Sequence, residues 1–388
     1  MENETIRRSL ASASKAKVPF LEYVSAHRGE NRRRCLIYFI PGNPGLIAYY
    51  APFLSTLRQL LDEEEARDGC HRSFHVYGQN LIGFDDADHE PPFSAAEAGT
   101  APFVLEDQIF HSYDRLVEVG TNGTNVGSSE AAAQAQAFDE VIIMGHSVGA
   151  YISTEIYHRH HLQLKARQQQ QVNGNDGTGV TEKQLVNLQA GILLFPTISD
   201  MAHSPNGQKL DFLRTTPFLD RYAHRVAKGF VDLWPGWLLE GFVRRVLGQP
   251  AHAASVTVRF LMSRDGIWQA LHLGKDEMRV ITEEKWSEDL WEMQDDDDTT
   301  STTDAATERP NKFFFYFGVD DSWVSQEHRD RFIEQRRRHE NGRTRIFIDQ
   351  DKIPHAFCIR ELPSFSSFFS LDILSSRCFI FVRRRKTD

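Results

Sequence analysis

Short apolar runs recur along the chain at residues 36–40, 75–77, 141–144, 190–195, 313–317 and 345–348. Several are continuous rather than alternating, the pattern of strands buried on both faces of a parallel sheet. Between them, apolar positions fall into helical spacing over 50–65, 105–119, 149–161 and 326–338. Strands alternating with helices predict an α/β fold built on a mostly parallel, doubly wound sheet. Polar, low-complexity stretches near 120–136, 165–181 and 294–310 read as surface loops. They hold too little apolar surface to offset the entropy of ordering them. The expected organisation is an N-terminal extension over 1–34, a main domain over 35–360 with an insertion near 200–290, and a tail over 361–388.

The most informative segment is Gly145-His146-Ser147-Val148-Gly149, which follows the apolar run 141–144 and opens a helical pattern. Gly-x-Ser-x-Gly between a strand and a helix is the context of a nucleophile elbow, which exposes the serine hydroxyl on a tight turn. Gly145 and Gly149 leave room where a side chain would clash between strand and helix. The positive end of the following helix points toward a developing oxyanion. His146 is adjacent to the serine in sequence, so its side chain is expected to point away from the catalytic group and to pack or line a pocket wall.

A serine hydroxyl needs a base held by a carboxylate, and in α/β-hydrolases the chain order is Ser, then acid, then His. The run 313–317 is followed by Asp320-Asp321-Ser322-Trp323, and the run 345–348 by Ile353-Pro354-His355-Ala356-Phe357. Both loops leave carboxyl ends of strands, where ligands gather in open α/β sheets. His355 is therefore the expected base, while Asp320 and Asp321 compete as the acid. Behind the first strand, Pro41-Gly42-Asn43-Pro44-Gly45 forms a rigid turn. In this fold such a turn supplies one oxyanion donor and the residue after the nucleophile the other, which assigns the N–H groups of Asn43 and Val148.

Together these residues resemble the lipid droplet-associated hydrolases. The resemblance is carried by Pro41–Gly45 with Tyr49-Tyr50, by the elbow through Tyr151, and by Leu194-Phe-Pro-Thr197 with Ser204-Pro-Asn-Gly207. It continues in Lys275-Asp-Glu-Met278, Thr282-Glu-Glu-Lys-Trp286, Asp321-Ser-Trp323 and Ile353-Pro-His-Ala-Phe357. It implies a serine hydrolase that needs no cofactor or metal and acts on sterol esters or other neutral lipids, such as acylglycerols. The implied location is the lipid-droplet surface, with the endoplasmic reticulum membrane as a second site. The family's acid precedes a small residue and Trp, which selects Asp321. Two other outcomes of the same sequence are a droplet-surface binding protein with little activity and an acyltransferase using the same residues.

Composition narrows the picture further. With 388 residues, 40% hydrophobic and 25% charged, the chain can bury one large core. A net charge of −10 argues against general nucleic-acid affinity. Four widely spaced cysteines (Cys35, Cys70, Cys358, Cys378) match neither a metal site nor a disulfide framework. The first twenty residues lack a signal-peptide h-region, and no run reaches the roughly eighteen apolar residues of a membrane span. An intracellular, non-secreted protein is the expectation.

Residues 229–243 concentrate aromatic and aliphatic side chains around a Pro-Gly turn, with Phe230, Trp234, Trp237 and Phe242 as candidate lipid anchors. Periodicity fits a cap helix over the site equally well, and the resemblance favours lipid contact. After His355 an amphipathic helix would be expected to close the domain. Instead the chain runs through Ser- and Phe-rich sequence to Arg383-Arg-Arg-Lys386.

Overall fold

The computed structural model describes residues 18–27, 32–67, 69–95, 100–123, 136–172, 185–286, 288–291, 312–337 and 344–360. Seven strands form one sheet: β1 (Phe20–Tyr23), β2 (Arg33–Ile40), β3 (Arg72–Gln79), β4 (Glu140–His146), β5 (Leu188–Leu194), β6 (Lys312–Phe317) and β7 (Thr344–Ile348). Their spatial order is β1-β3-β2-β4-β5-β6-β7. Every pair is parallel except β1 with β3, which is antiparallel at one edge. All seven residues of β4 are buried, as are the last six of β2. Each of the six apolar runs thus lies largely on a strand.

Helices cover both faces. They are α1 (Ala51–Glu65), α2 (Leu105–Asn122), α3 (Val148–Val172) and, late in the chain, α10 (Gln326–Arg337). Between β5 and β6 the chain builds a helical cap of α4 (Pro205–Thr215), α5 (Pro217–Val231), α6 (Gly236–Arg245), α7 (Ala251–Met262) and α8 (Gly266–Val280), closed by the short α9 (Glu288–Trp291). These helices fall between residues 205 and 291.

The structure corrects the sequence reading in two places. The stretch read as an extension before residue 35 already contains β1 and the start of β2. The loop expected over 165–181 begins as helix, because α3 continues to Val172. Its Lys, Arg, Ala and Gln residues are good helix formers, so polarity there does not mark a break. Residues 124–135, 173–184, 292–311 and 361–388 lie outside the described residues, and with them most of the three polar stretches and the whole C-terminal tail. Among the described residues, no helix is long and apolar enough to cross a membrane.

The sheet order reverses beside β2 and β4, the switch point where open α/β sheets bind ligands. In that parallel pair Ile40 lies opposite Gly145, so the turns that follow the two strands stand side by side. On the cap side, Asp86 in the loop after β3 accepts the N–H groups of Arg264 (2.8 Å) and Asp265 (3.2 Å) just before α8. In the same loop Asp88 is buried, accepting the N–H of Asp85 at 3.2 Å. Burial above all pushes its carboxyl up to about 8, with Asp85 and Asp86 nearby adding to the shift.

A carboxyl raised in the fold costs stability progressively as pH rises through the window where the unfolded chain is ionised and the fold is not. Below about pH 4 both states are protonated and nothing is lost. From there to about pH 8 the fold loses about 1.4 kcal/mol per pH unit at most. Asp88→Asn is therefore expected to leave stability nearly unchanged at pH 4 and to raise it by on the order of 2 kcal/mol at pH 7, as read from urea unfolding.

Candidate active site

Ser147 sits at the turn between β4 and α3 with φ of 56°, a left-handed conformation rare for a residue with a side chain. The neighbouring glycines make the turn possible. A Cβ at Gly145 would collide with the Gly149 carbonyl, and one at Gly149 with the Ile40 carbonyl. At Gly42, on the facing turn, a Cβ would come within 2.9 Å of the Ser147 Cβ. The Ser147 N–H donates to the Leu194 carbonyl at 3.0 Å, which fastens the turn to β5.

The three residues expected to cooperate meet here. His355 Nε2 lies 2.9 Å from Ser147 Oγ, and His355 Nδ1 lies 2.7 Å from Asp321 Oδ2. Buried Asp321 also accepts the Trp323 N–H at 2.8 Å through its other oxygen. With Nδ1–H donating to the carboxylate, Nε2 is left to accept the Ser147 hydroxyl proton. Asp320 turns outward and lies 3.6 Å from Lys352. Adjacent residues leave a strand in different directions, and here only Asp321 reaches the imidazole.

Around the serine, the Gly42 N–H is engaged by the Tyr50 hydroxyl at 3.1 Å. Among the described residues, no acceptor takes the N–H of Asn43 or of Val148, the first residue of α3. The Asn43 side chain donates to the Ala270 carbonyl and to Glu277, each at 3.0 Å.

His146 departs from its expected orientation. Its ring lies 5.1 Å from that of His355, and its Nε2 donates to the His355 carbonyl at 2.9 Å. Its Nδ1 accepts from the Tyr50 hydroxyl at 2.8 Å. Burial, and then the nearness of His355, hold its pKa well below the usual histidine range, so the ring stays neutral. A continuous series therefore runs from the Gly42 N–H through Tyr50 and His146 to the backbone of His355. A buried histidine must find partners for both nitrogens, and Tyr50 in the Tyr49-Tyr50 pair was the available signal.

The other motifs of the sequence fasten the cap to this site. The Tyr49 hydroxyl bonds Thr257 of α7 at 2.9 Å. Phe195, with φ of 46°, stands edge-on to the His355 ring at 5.8 Å. Ser204 caps α4 by accepting the Gly207 N–H at 3.0 Å. Asn206 donates from its backbone to the Ser322 carbonyl (3.0 Å) and from its side chain to Ser322 Oγ (2.8 Å), beside Asp321. Trp286 donates to Glu155 of α3 at 2.7 Å and packs on Tyr151.

Ser147 and His355 open into a cavity of about 310 Å³, walled largely by Tyr49, Met201, Leu210, Phe260, Trp323 and Ile359. Among the described residues, two clusters bring three metal-ligating atoms within 4.8 Å of one another: Asp200, His203 and His328, and Asp86, His89 and Asp265. Neither lines this cavity. The second is already occupied by backbone donors and by Arg264.

The candidate lipid anchors divide. Phe230 and Trp237 are 62% and 75% exposed, with Leu233 between them at 79%, and Phe242 is also exposed. Trp234 is half-buried between the rings of Phe230 and Phe242. Leu239 and Val243 face inward against Ala254 and Val258 of α7. Phe212, Phe218 and Val226 add exposed apolar surface on α4 and α5, which the sequence did not single out.

A mainly parallel sheet whose switch point carries serine on a strand-to-helix elbow, with histidine and aspartate arriving from later loops, defines an α/β-hydrolase. The sequence model described as lipid-droplet associated hydrolase matches residues 33–358, and the chain belongs to that family. A lipid droplet-associated hydrolase of Gallus gallus is 26% identical over 313 residues, covering 79% of this chain and 76% of the relative. One of Mus musculus is 24% identical over 329 residues, covering 84% and 80%. In structure the chain is similar to a peroxisomal alpha-beta-hydrolase of Saccharomyces cerevisiae, with a TM-score of 0.47, 11% identity, and coverage of 88% and 77%.

Removing the Tyr50 hydroxyl leaves the Gly42 N–H and His146 Nδ1 without partners in the interior. Tyr50→Phe is expected to lower stability by about 1–3 kcal/mol in urea unfolding.

Proposed function

We propose that the chain is a serine esterase that cleaves carboxylic esters of neutral lipids, of the sterol-ester or acylglycerol class, at the surface of lipid droplets. The observation that carries this reading is the hydrogen-bonded series Ser147–His355–Asp321 at the mouth of an apolar cavity.

Ser147 Oγ attacks the acyl carbonyl carbon while His355 Nε2 takes the hydroxyl proton. Asp321 stabilises the resulting imidazolium and keeps the ring in register. Charge collects on the former carbonyl oxygen, which the N–H groups of Asn43 and Val148 receive. The tetrahedral intermediate collapses, the alcohol leaves with the proton from His355, and Ser147 remains acylated. Water then attacks the acyl-enzyme with His355 again as base, and the free acid departs.

Substrate size follows from the cavity. At about 310 Å³ it stands at the small end of ligand pockets. It suits one hydrocarbon arm of an ester, while the other extends outward past the cap. The exposed apolar residues of the α5–α6 hairpin give that arm a lipid phase to lie in. Arg244 and Arg245, exposed at the end of α6, suit the phosphate level of a phospholipid monolayer. The names of the Gallus gallus and Mus musculus relatives support the droplet as that surface, and the endoplasmic reticulum membrane offers a second surface of the same chemistry.

Two outcomes test the reading. Ser147→Ala is expected to lower hydrolysis of emulsified neutral esters by on the order of 10³-fold or more, without loss of fold. Full activity in S147A would remove Ser147 as the nucleophile. Phe230→Asp with Trp237→Asp is expected to abolish flotation with phospholipid-coated triacylglycerol emulsions while sparing hydrolysis of a soluble ester. Unchanged flotation would place lipid contact elsewhere.

A further inference from the structure

The segment Lys275-Asp276-Glu277-Met278 lies on α8, and three successive side chains of it make three different links. Lys275 Nζ pairs with Asp220 of α5 at 2.8 Å. Asp276 accepts the Leu105 N–H at the start of α2, at 2.9 Å. Glu277, only 2% exposed, accepts from Asn43 Nδ2 at 3.0 Å. The second hydrogen of the same amide goes to the Ala270 carbonyl, also on α8. At Gly274, three residues before Glu277, a Cβ would meet Leu210 Cδ2 at 3.0 Å and would be in ordinary contact with Asn43 Nδ2 at 3.4 Å. One cap helix therefore holds both donors of the Asn43 side chain, and Glu277 is the only side chain among those acceptors.

We infer that Glu277 is a positioning residue for the ester chemistry: it fixes the Asn43 side chain and, through it, the turn whose Asn43 N–H receives the oxyanion. The inference rests on the proposed esterase reading. An oxyanion donor works only if it is held where charge develops, and a small displacement forfeits much of the rate. Asn43 needs such an outside hold because its own backbone N–H must stay free for the oxyanion.

The charge state of Glu277 fits this task. Burial pushes its carboxyl up to about 8 and nearby Asp276 adds to this, against the opposing hydrogen bond from Asn43. The other titratable groups lining the cavity are Tyr49 and Tyr50 from the turn after β2, His146 from β4, and His355 and Cys358 from the last loop. No lysine or arginine lines it among the described residues. At neutral pH Glu277 is thus a neutral acceptor. Above about pH 8 it becomes an anion in the same low-dielectric cavity, where it opposes the oxyanion.

The test compares wild type, E277Q, E277L, N43A and N43A/E277L on a soluble p-nitrophenyl ester, each variant checked for fold by thermal unfolding. E277Q keeps the accepting oxygen and cannot ionise. It is expected to stay within about threefold of wild type at pH 7 and to lose the decline in kcat/KM that wild type shows above about pH 8. E277L is expected to lower kcat by about 10- to 100-fold with KM little changed. N43A/E277L should fall no further than the weaker single variant, because both act through one contact. Wild-type kcat in E277L, multiplied losses in the double variant, or an alkaline decline retained by E277Q would each overturn the inference. Should E277L fail to fold, the pH profile of E277Q decides alone. An inert wild type would overturn the esterase reading together with this inference, whereas an active wild type matched by E277L overturns the inference only.

Discussion

Everything at the site depends on one steric constraint, the approach of three backbone segments that leaves no room for side chains. Where β4 turns into α3, Gly145 meets the Gly149 carbonyl, Gly149 meets the Ile40 carbonyl, and Gly42 faces Ser147. With no side chain at these three positions, Ser147 adopts φ of 56° between the turns after β2 and β4. That conformation is unfavourable for serine in isolation, and the surrounding sheet and helix hold it. The N–H of Val148 lies at the positive end of α3.

Onto this turn the cap is fastened by polar links to the flanking loops. Glu277 and Ala270 on α8 hold Asn43 after β2. Asn206 on α4 holds Ser322 beside Asp321 after β6. Such links are directional where apolar packing is not, so the cap defines the shape of the cavity and also the placement of the loops that border it. The outer face of the cap carries exposed Phe230, Leu233 and Trp237 on the turn between α5 and α6 and its flanks. The element that exposes these apolar side chains thus belongs to the cap tied to the site.

Much of this was legible in the sequence because parallel strands buried on both faces leave continuous apolar runs, and because an elbow needs glycines at fixed spacing. The fold class followed from those patterns, while the family was implied by a resemblance carried by Pro41–Gly45 with Tyr49-Tyr50 and the later motifs. What escaped is equally physical. β1 has four half-buried residues at an edge, too few to stand out from the polar sequence around them. Lys165 through Val172 looked like a loop because its composition is polar, although Lys, Arg, Ala and Gln are good helix formers. Asp320 and Asp321 are indistinguishable until the direction of each side chain is known. His146 was expected to turn away from the site, since sequence adjacency to Ser147 says little about a side chain directed by a buried hydroxyl partner on another element.

The central claim is that Ser147 is an activated nucleophile. Its most direct test is intact-mass and peptide-mapping analysis of the folded protein after treatment with a fluorophosphonate. The account predicts a single adduct mapped to Ser147. An adduct on another residue, or none on protein shown to be folded, would contradict it.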